Sequence, residues 1–173
     1  MQFDFKNGGV YKLDKDLIGY KKVYCSYTGI WNRDAKKAIM TLRVPKNQTV
    51  VLPDTTKKSS KYYKSLDDDD IDGIMKTDKI YVEKIEDLDG NTIEDYYECT
   101  SSKSNGPQTP VHYDSNGVII GHDYMTEYRG YEYIYKLDKK YKARLDLDHK
   151  DITGSGYFFY STKEQAKKSA EYY

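Results

Sequence analysis

Apolar and polar residues alternate with a period of two over several short stretches, the spacing of half-buried β-strands. Val23, Cys25 and Tyr27 alternate with Tyr24 and Ser26. Ala38, Met40, Leu42 and Val44 take one face of a longer strand, and Ile39, Thr41 and Arg43 take the other. Pro45 ends it, because proline has no N–H to give to a ladder. Val50-Val51-Leu52 reads as a strand stopped by Pro53, and 79–85 as another with Ile80 and Val82 on a shared face. Three hairpins are expected. Asp89-Gly90-Asn91 turns into a return strand over 93–99. Asp114-Ser115-Asn116-Gly117 separates Val111-His112-Tyr113 from Val118-Ile119-Ile120, with an Asn-Gly pair where positive φ is needed. Leu137-Asp138-Lys139-Lys140 turns between a strand holding Tyr131, Tyr133 and Tyr135 and one holding Tyr141, Ala143, Leu145 and Leu147.

The pattern changes near the C-terminus. Gly154 and Gly156 allow a tight bend, and the run Tyr157-Phe158-Phe159-Tyr160 suits a buried strand. Ser161 then caps a helix, with Glu164 three residues on closing a capping box. Ala166, Ala170 and Tyr173 share one face of that helix, while Lys163, Lys167 and Lys168 stay in water. Between about 54 and 77 the composition turns to Lys, Ser, Tyr and Asp, which reads as a polar loop or insertion. The expected architecture is one α+β domain over 1–173: a mostly antiparallel sheet, curled or closed into a barrel, with a short C-terminal helix. The pentapeptide Tyr-Lys-Leu-Asp-Lys recurs at 11–15 and 135–139, too short and too isolated for a structural repeat.

Composition narrows the function classes. Lys plus Arg total 28 and Asp plus Glu total 28, so no bulk field draws nucleic acid or an anionic membrane. Tyrosine is abundant, 20 residues against 4 Phe and 1 Trp. It suits half-exposed sheet faces and contact surfaces, and an A+T-rich genome would enrich it too. Tyr131, Tyr133 and Tyr135 fall on one strand face and form the expected contact stripe, with ordinary sheet packing as the competing account; Tyr157 and Tyr160 are the other expected contact residues. Trp31 reads as a core or rim anchor. Cys25 and Cys99 make no CxxC pattern, and a disulfide between them is open, with a reducing compartment as the default. The N-terminus lacks the features of a signal peptide, and no apolar run is long enough for a membrane helix.

Candidate chemistry is sparse. Asp68, Asp70 and Asp72 followed by Gly73 match the first half of a calcium loop. Lys76 and Lys79 then stand at the ninth and twelfth loop positions, where oxygens are required, so a solvated acidic loop is the expectation. His112, His122 and His149 form no metal-binding spacing. No phosphate loop, nucleophile elbow or Cys/His signature is present.

Two resemblances add to this reading. The stretch Ala38-Ile39-Met40-Thr41-Leu42-Arg43-Val44-Pro45 with Val50-Val51-Leu52 resembles a strand pair in an uncharacterised domain of large DNA viruses and phages, sometimes joined to pentapeptide repeats. The ending, 131–139 and then Gly156-Tyr157-Phe158-Phe159 with Thr162-Lys163-Glu164-Gln165-Ala166 and Tyr172, is similar to the same family's. The family's Gly-Ile-His is Gly156-Tyr157-Phe158 here. The resemblance implies a viral or phage accessory protein, in the host cytoplasm or the virion. More narrowly, Gly154-Ser155-Gly156-Tyr157-Phe158-Phe159 and Ser169-Ala170-Glu171-Tyr172 are similar to segments of ADP-ribosyltransferases. That implies NAD as cofactor, with His122 holding the ribose and Tyr172 stacking on nicotinamide. The expected function is non-enzymatic: a viral protein acting through contacts with a viral or host protein, oligomeric or not, without nucleic acid or membrane. The alternative is an NAD-binding transferase.

Overall fold

The computed structural model describes residue 3 and residues 7–26, 36–54, 73–93, 98–100, 111–113, 119–122, 135, 139–142, 145–148 and 156–169. The strands are β1 (Gly9–Lys12), β2 (Leu17–Ser26), β3 (Lys36–Val44), β4 (Thr49–Leu52), β5 (Ile74–Thr77) and β6 (Lys79–Asp87). They continue with β7 (Glu98–Thr100), β8 (Val111–Tyr113), β9 (Ile119–His122), β10 (Lys140–Lys142) and β11 (Tyr157–Tyr160), and helix α1 (Lys163–Lys168) follows. All the strands join one sheet in the order β1-β4-β5-β11-β2-β3-β6-β10-β9-β8, with β7 also on β2. Every pairing is antiparallel except β10 with β9. The sheet is mostly antiparallel, as the alternation predicts, and it is open; the barrel alternative is not formed.

β2 and β3 pair from Leu17↔Val44 to Cys25↔Lys36, which sets the two faces. Val23 and Cys25 meet Ala38, Met40, Leu42 and Val44 in a large inner cluster. Ile39 belongs to a smaller cluster on the outer face with Ile74, Phe158, Tyr160 and Ala166. β6 joins β3 with a register shift: Thr41 faces Lys84 and Leu42 faces Val82, so Glu83 is the extra residue of a bulge. The bulge reverses the parity of β6. Ile80, Val82 and Ile85 can therefore all point inward, which strict alternation would forbid.

β11, late in the chain, lies between β5 and β2 and joins the two halves of the sheet. Its four residues are buried, Tyr157 and Phe159 inward, Phe158 and Tyr160 outward. The bend before it has Gly156 at φ 139°, a backbone that disfavours a side chain. Gly19 of β2 serves a different need: a Cβ there would overlap the ring of Phe159, so only glycine lets β11 lie this close.

The helix forms one position later than the first capping pattern predicts. Thr162, not Ser161, is the N-cap, and Gln165 closes the capping box in place of Glu164. Ser161 Oγ instead donates to Gln165 Oε1 at 2.6 Å. Ser169 ends the helix, so Ala166 is its buried contact while Ala170 and Tyr173 lie outside the described residues. Six residues make no stable helix in water, so tertiary contacts hold it. Lys22 Nζ donates to Ser169 O at 2.6 Å, and Lys163 pairs with Glu86 at 2.5 Å. Glu86 is nearly buried and is also held by Lys84; the hydrogen bond from Lys163 leads in pulling its pKa below the usual carboxylate range.

Several expectations need correction. The stretch read as a polar loop through 77 ends in β5, all four residues of which are buried, Lys76 and Thr77 included. The Asp89-Gly90-Asn91 turn forms, with the Asp87 carboxylate accepting from the N–H groups of Asn91 and Asp89 at 2.9 Å. Its return begins at Thr92 and Ile93, but β7 pairs with β2 rather than β6. The described residues of the third expected hairpin have other partners: Tyr135 bridges Cys99, while β10 pairs with β6 and β9; the rest of that hairpin, its turn included, lies outside the described residues. Pairing partners lie far apart in sequence, and local alternation carries no record of them. β8 and β9 do pair with each other; the turn between them lies outside the described residues.

Candidate functional site

Of the residues expected to form a contact surface, the three that are described belong to the core. Tyr135, Tyr157 and Tyr160 are all 0% exposed. Tyr135 stands in edge-to-face contact with Tyr141 at 5.3 Å and with Tyr157 at 6.2 Å between ring centroids. β11 and β10 are four steps apart in the sheet order, about 19 Å if the sheet were flat. Two successive ring contacts link them, so the sheet curls around this tyrosine cluster. Tyrosine's apolar ring, not its hydroxyl, decides its place here. Tyr131 and Tyr133 lie outside the described residues.

Cys25 and Cys99 face each other across β2 and β7 and form a disulfide. The pairing that the sequence leaves open is thus made, against the default of a reducing compartment: the antiparallel register brings the two residues directly opposite, inside the inner cluster. Lys21 is another unexpected occupant of the interior. It shares the inward side of β2 with Val23, is fully buried, and its Nζ donates to Phe158 O at 2.6 Å. Burial lowers its pKa to about 7. β11 meets β2 in register at Tyr160↔Tyr20, and Lys21, the next residue of β2, reaches back to a carbonyl of β11.

The outer face differs between its two parts. Where β2, β3 and β6 carry Tyr20, Ile39 and Glu86, α1 covers them. Towards the other end of these strands no described helix covers the face, and register aligns Ile18 (β2), which is exposed, with the half-buried Arg43 (β3), Tyr81 (β6) and Lys140 (β10) in one cross-strand row. Ile18 is 43% exposed, unusual for a large apolar residue in a strand. Arg43 is fixed from three sides. Its Nε donates to Glu83 Oε1 at 2.6 Å, its Nη1 lies 3.4 Å from Asp16 Oδ2, and its guanidinium stands 4.4 Å from the centroid of Tyr81. The hydrogen bond to Glu83 leads in raising its pKa above the ordinary value. Lys140 Nζ lies 5.6 Å from the same ring. The bulge at Glu83 puts that carboxylate within reach of Arg43, so one backbone irregularity serves both core packing and this row. Individually such surface pairs contribute about 1 kcal/mol or less. Together they hold an arginine and a tyrosine in one orientation.

Nothing in the sequence singles out this row, although Arg43 and Tyr81 fall at outward positions of correctly read strands. Of the other expected site residues, His112 and His122 lie in β8 and β9, the backbone alone being described there. Asp68, Asp70, Asp72, His149, Trp31 and Tyr172 lie outside the described residues. Among the described residues no group of three or more His, Cys, Asp and Glu could hold a metal ion, and no helix is long and apolar enough to cross a membrane.

No family model matches the chain, and no solved structure matches it. It is similar to "Uncharacterized protein L94" of Acanthamoeba polyphaga mimivirus, 38% identical over 116 residues that cover 65% of this chain and 79% of that protein. It is also similar to "Uncharacterized protein L87" of the same virus, 27% identical over 179 residues, covering 95% of this chain and 97% of the relative. By its likeness to L94, the chain belongs to a family of uncharacterised viral proteins.

Proposed function

We propose that this protein is a non-enzymatic viral accessory protein that works by protein–protein contact, through the open part of its outer face. The observation that carries the reading is the row Ile18–Arg43–Tyr81–Lys140, which is accessible and oriented in advance. Tyrosine and arginine dominate the energetics of interfaces because they bring large contact area with few rotatable bonds or a rigid set of donors. A row already held by Glu83 and Asp16 loses little conformational freedom on binding. The interior fits the same reading, since its tyrosines are packed against one another and serve the scaffold.

Affinity capture from virion extract and infected-cell lysate, with wild-type protein and with Arg43→Ala/Tyr81→Ala, tests it. A partner held by wild type is expected to fall by roughly 30-fold or more in the variant, the loss of one hot-spot contact. The variant's unfolding midpoint should stay near that of wild type, because both side chains lie outside the core. Equal recovery with both proteins, or recovery of nothing by either, would reject the proposal.

A further inference from the structure

β6 and β10 pair with Lys79 opposite Lys142 and Tyr81 opposite Lys140. These four side chains share the outer face, because Ile80 and Tyr141, their neighbours in sequence, are in the inner cluster. Like charges set directly opposite one another weaken a sheet. Elsewhere on this face Arg43 has Glu83 and Asp16, and Glu86 has Lys84 and Lys163. Among the described residues, Lys79, Lys140 and Lys142 have no such carboxylate, in a chain whose formal charge is zero.

We infer that the β6–β10 strip binds an Asp/Glu-rich segment of a partner protein, lying extended across Lys79, Lys140 and Lys142. The inference rests on the contact reading above and names the partner's chemistry. Alternate residues of a strand stand about 7 Å apart, so Lys140 and Lys142 match the spacing of every second side chain in an extended acidic peptide. A nucleic acid fits less well. Single strands gain from bases stacking on aromatic rings, and the ring of Tyr81 already has Arg43 at 4.4 Å and Lys140 at 5.6 Å. Arg43 is in turn committed to two carboxylates, which leaves three lysine point charges suited to separate carboxylates.

The test is fluorescence anisotropy of the full chain with a labelled octaglutamate peptide, and with a labelled oligothymidylate of equal charge, at low and moderate salt. Octaglutamate should bind the tighter of the two and weaken as salt screens the contact. Lys79→Glu should weaken octaglutamate binding by about tenfold or more while raising the unfolding midpoint by about 1–3 °C, because it turns a repulsive cross-strand pair into an attractive one. That opposite movement of stability and binding separates a lost site from a lost fold. Tighter binding of the oligothymidylate, no octaglutamate binding, or equal octaglutamate binding by Lys79→Glu would overturn the inference. A partner captured through Arg43 and Tyr81 that Lys79→Glu still holds would leave the contact function standing and reject only its acidic character.

Discussion

Reduction of the Cys25–Cys99 bridge, or its replacement by Cys25→Ala/Cys99→Ala, is expected to lower the free energy of unfolding by about 2–4 kcal/mol. The bridge spans 74 positions of sequence and closes a loop that contains β3 to β6. A closed loop of that size restricts the unfolded chain strongly, by about 4.5 kcal/mol on a chain-entropy estimate. The cysteines are buried, so their removal also takes sulfur atoms out of the inner cluster. An unfolding midpoint lower by about 5–15 °C should follow in a chain of this length. A second effect locates the change. β7 is three residues long, and the backbone N–H of Tyr135 donates to Cys99 O at 2.7 Å. Loosening β7 should disturb the rings of Tyr135, Tyr141 and Tyr157, read as a change in near-ultraviolet circular dichroism, while α1, on the opposite face, keeps its signal. An unchanged midpoint under strong reductant would contradict the account.

Lys21→Met is expected to stabilise the protein at neutral pH. The ammonium sits wholly inside the sheet with its pKa lowered to about 7 from 10.5. Holding a lysine there costs roughly 4 kcal/mol near neutrality. Methionine removes that penalty with little change of volume, but it leaves Phe158 O without the Lys21 donor, a loss of about 1–3 kcal/mol. The cost of keeping the ammonium out of water outweighs the lost hydrogen bond, so a net gain of about 1–3 kcal/mol is expected. The pH dependence has a definite sign. Between about 7 and 10.5 the unfolded chain holds more protons at this site than the folded one, so stability rises with pH through that window. Below about 7 the penalty stands in full. Urea unfolding from neutral pH up to the onset of tyrosine ionisation should show this rise in wild type and lose it in Lys21→Met. A destabilised variant that keeps the wild-type slope would mean the lysine is solvated or paired.

The fold was legible where chemistry is local. Alternation over 38–44 predicts β3 and both its faces, Pro45 predicts its end, and the aromatic run at 157–160 predicts β11. Choices between distant partners were not legible. β7 lies on β2 because Cys99 registers with Cys25, and no turn signal near Asp89-Gly90-Asn91 encodes that. β5 is hidden in the sequence because Lys76 and Thr77, polar by type, are buried by neighbouring strands on both sides. Tyrosine is ambiguous in any hydropathy pattern: Tyr157 is inside and Tyr81 half outside, with the same side chain. The row Ile18–Arg43–Tyr81–Lys140 needs three registers at once, among them the bulge at Glu83, and none can be read along a single strand.

If the tyrosines divide into scaffold and contact residues as proposed, nitration read by mass spectrometry will separate them. Free protein is expected to react at Tyr81 and to resist at Tyr135, Tyr141, Tyr157 and Tyr160, with the captured partner then protecting Tyr81. Rapid nitration of Tyr157 or Tyr160 in the free protein, suppressed by the partner while Tyr81 stays reactive, would mean that the aromatic strand, and not the Arg43–Tyr81 row, is the contact surface.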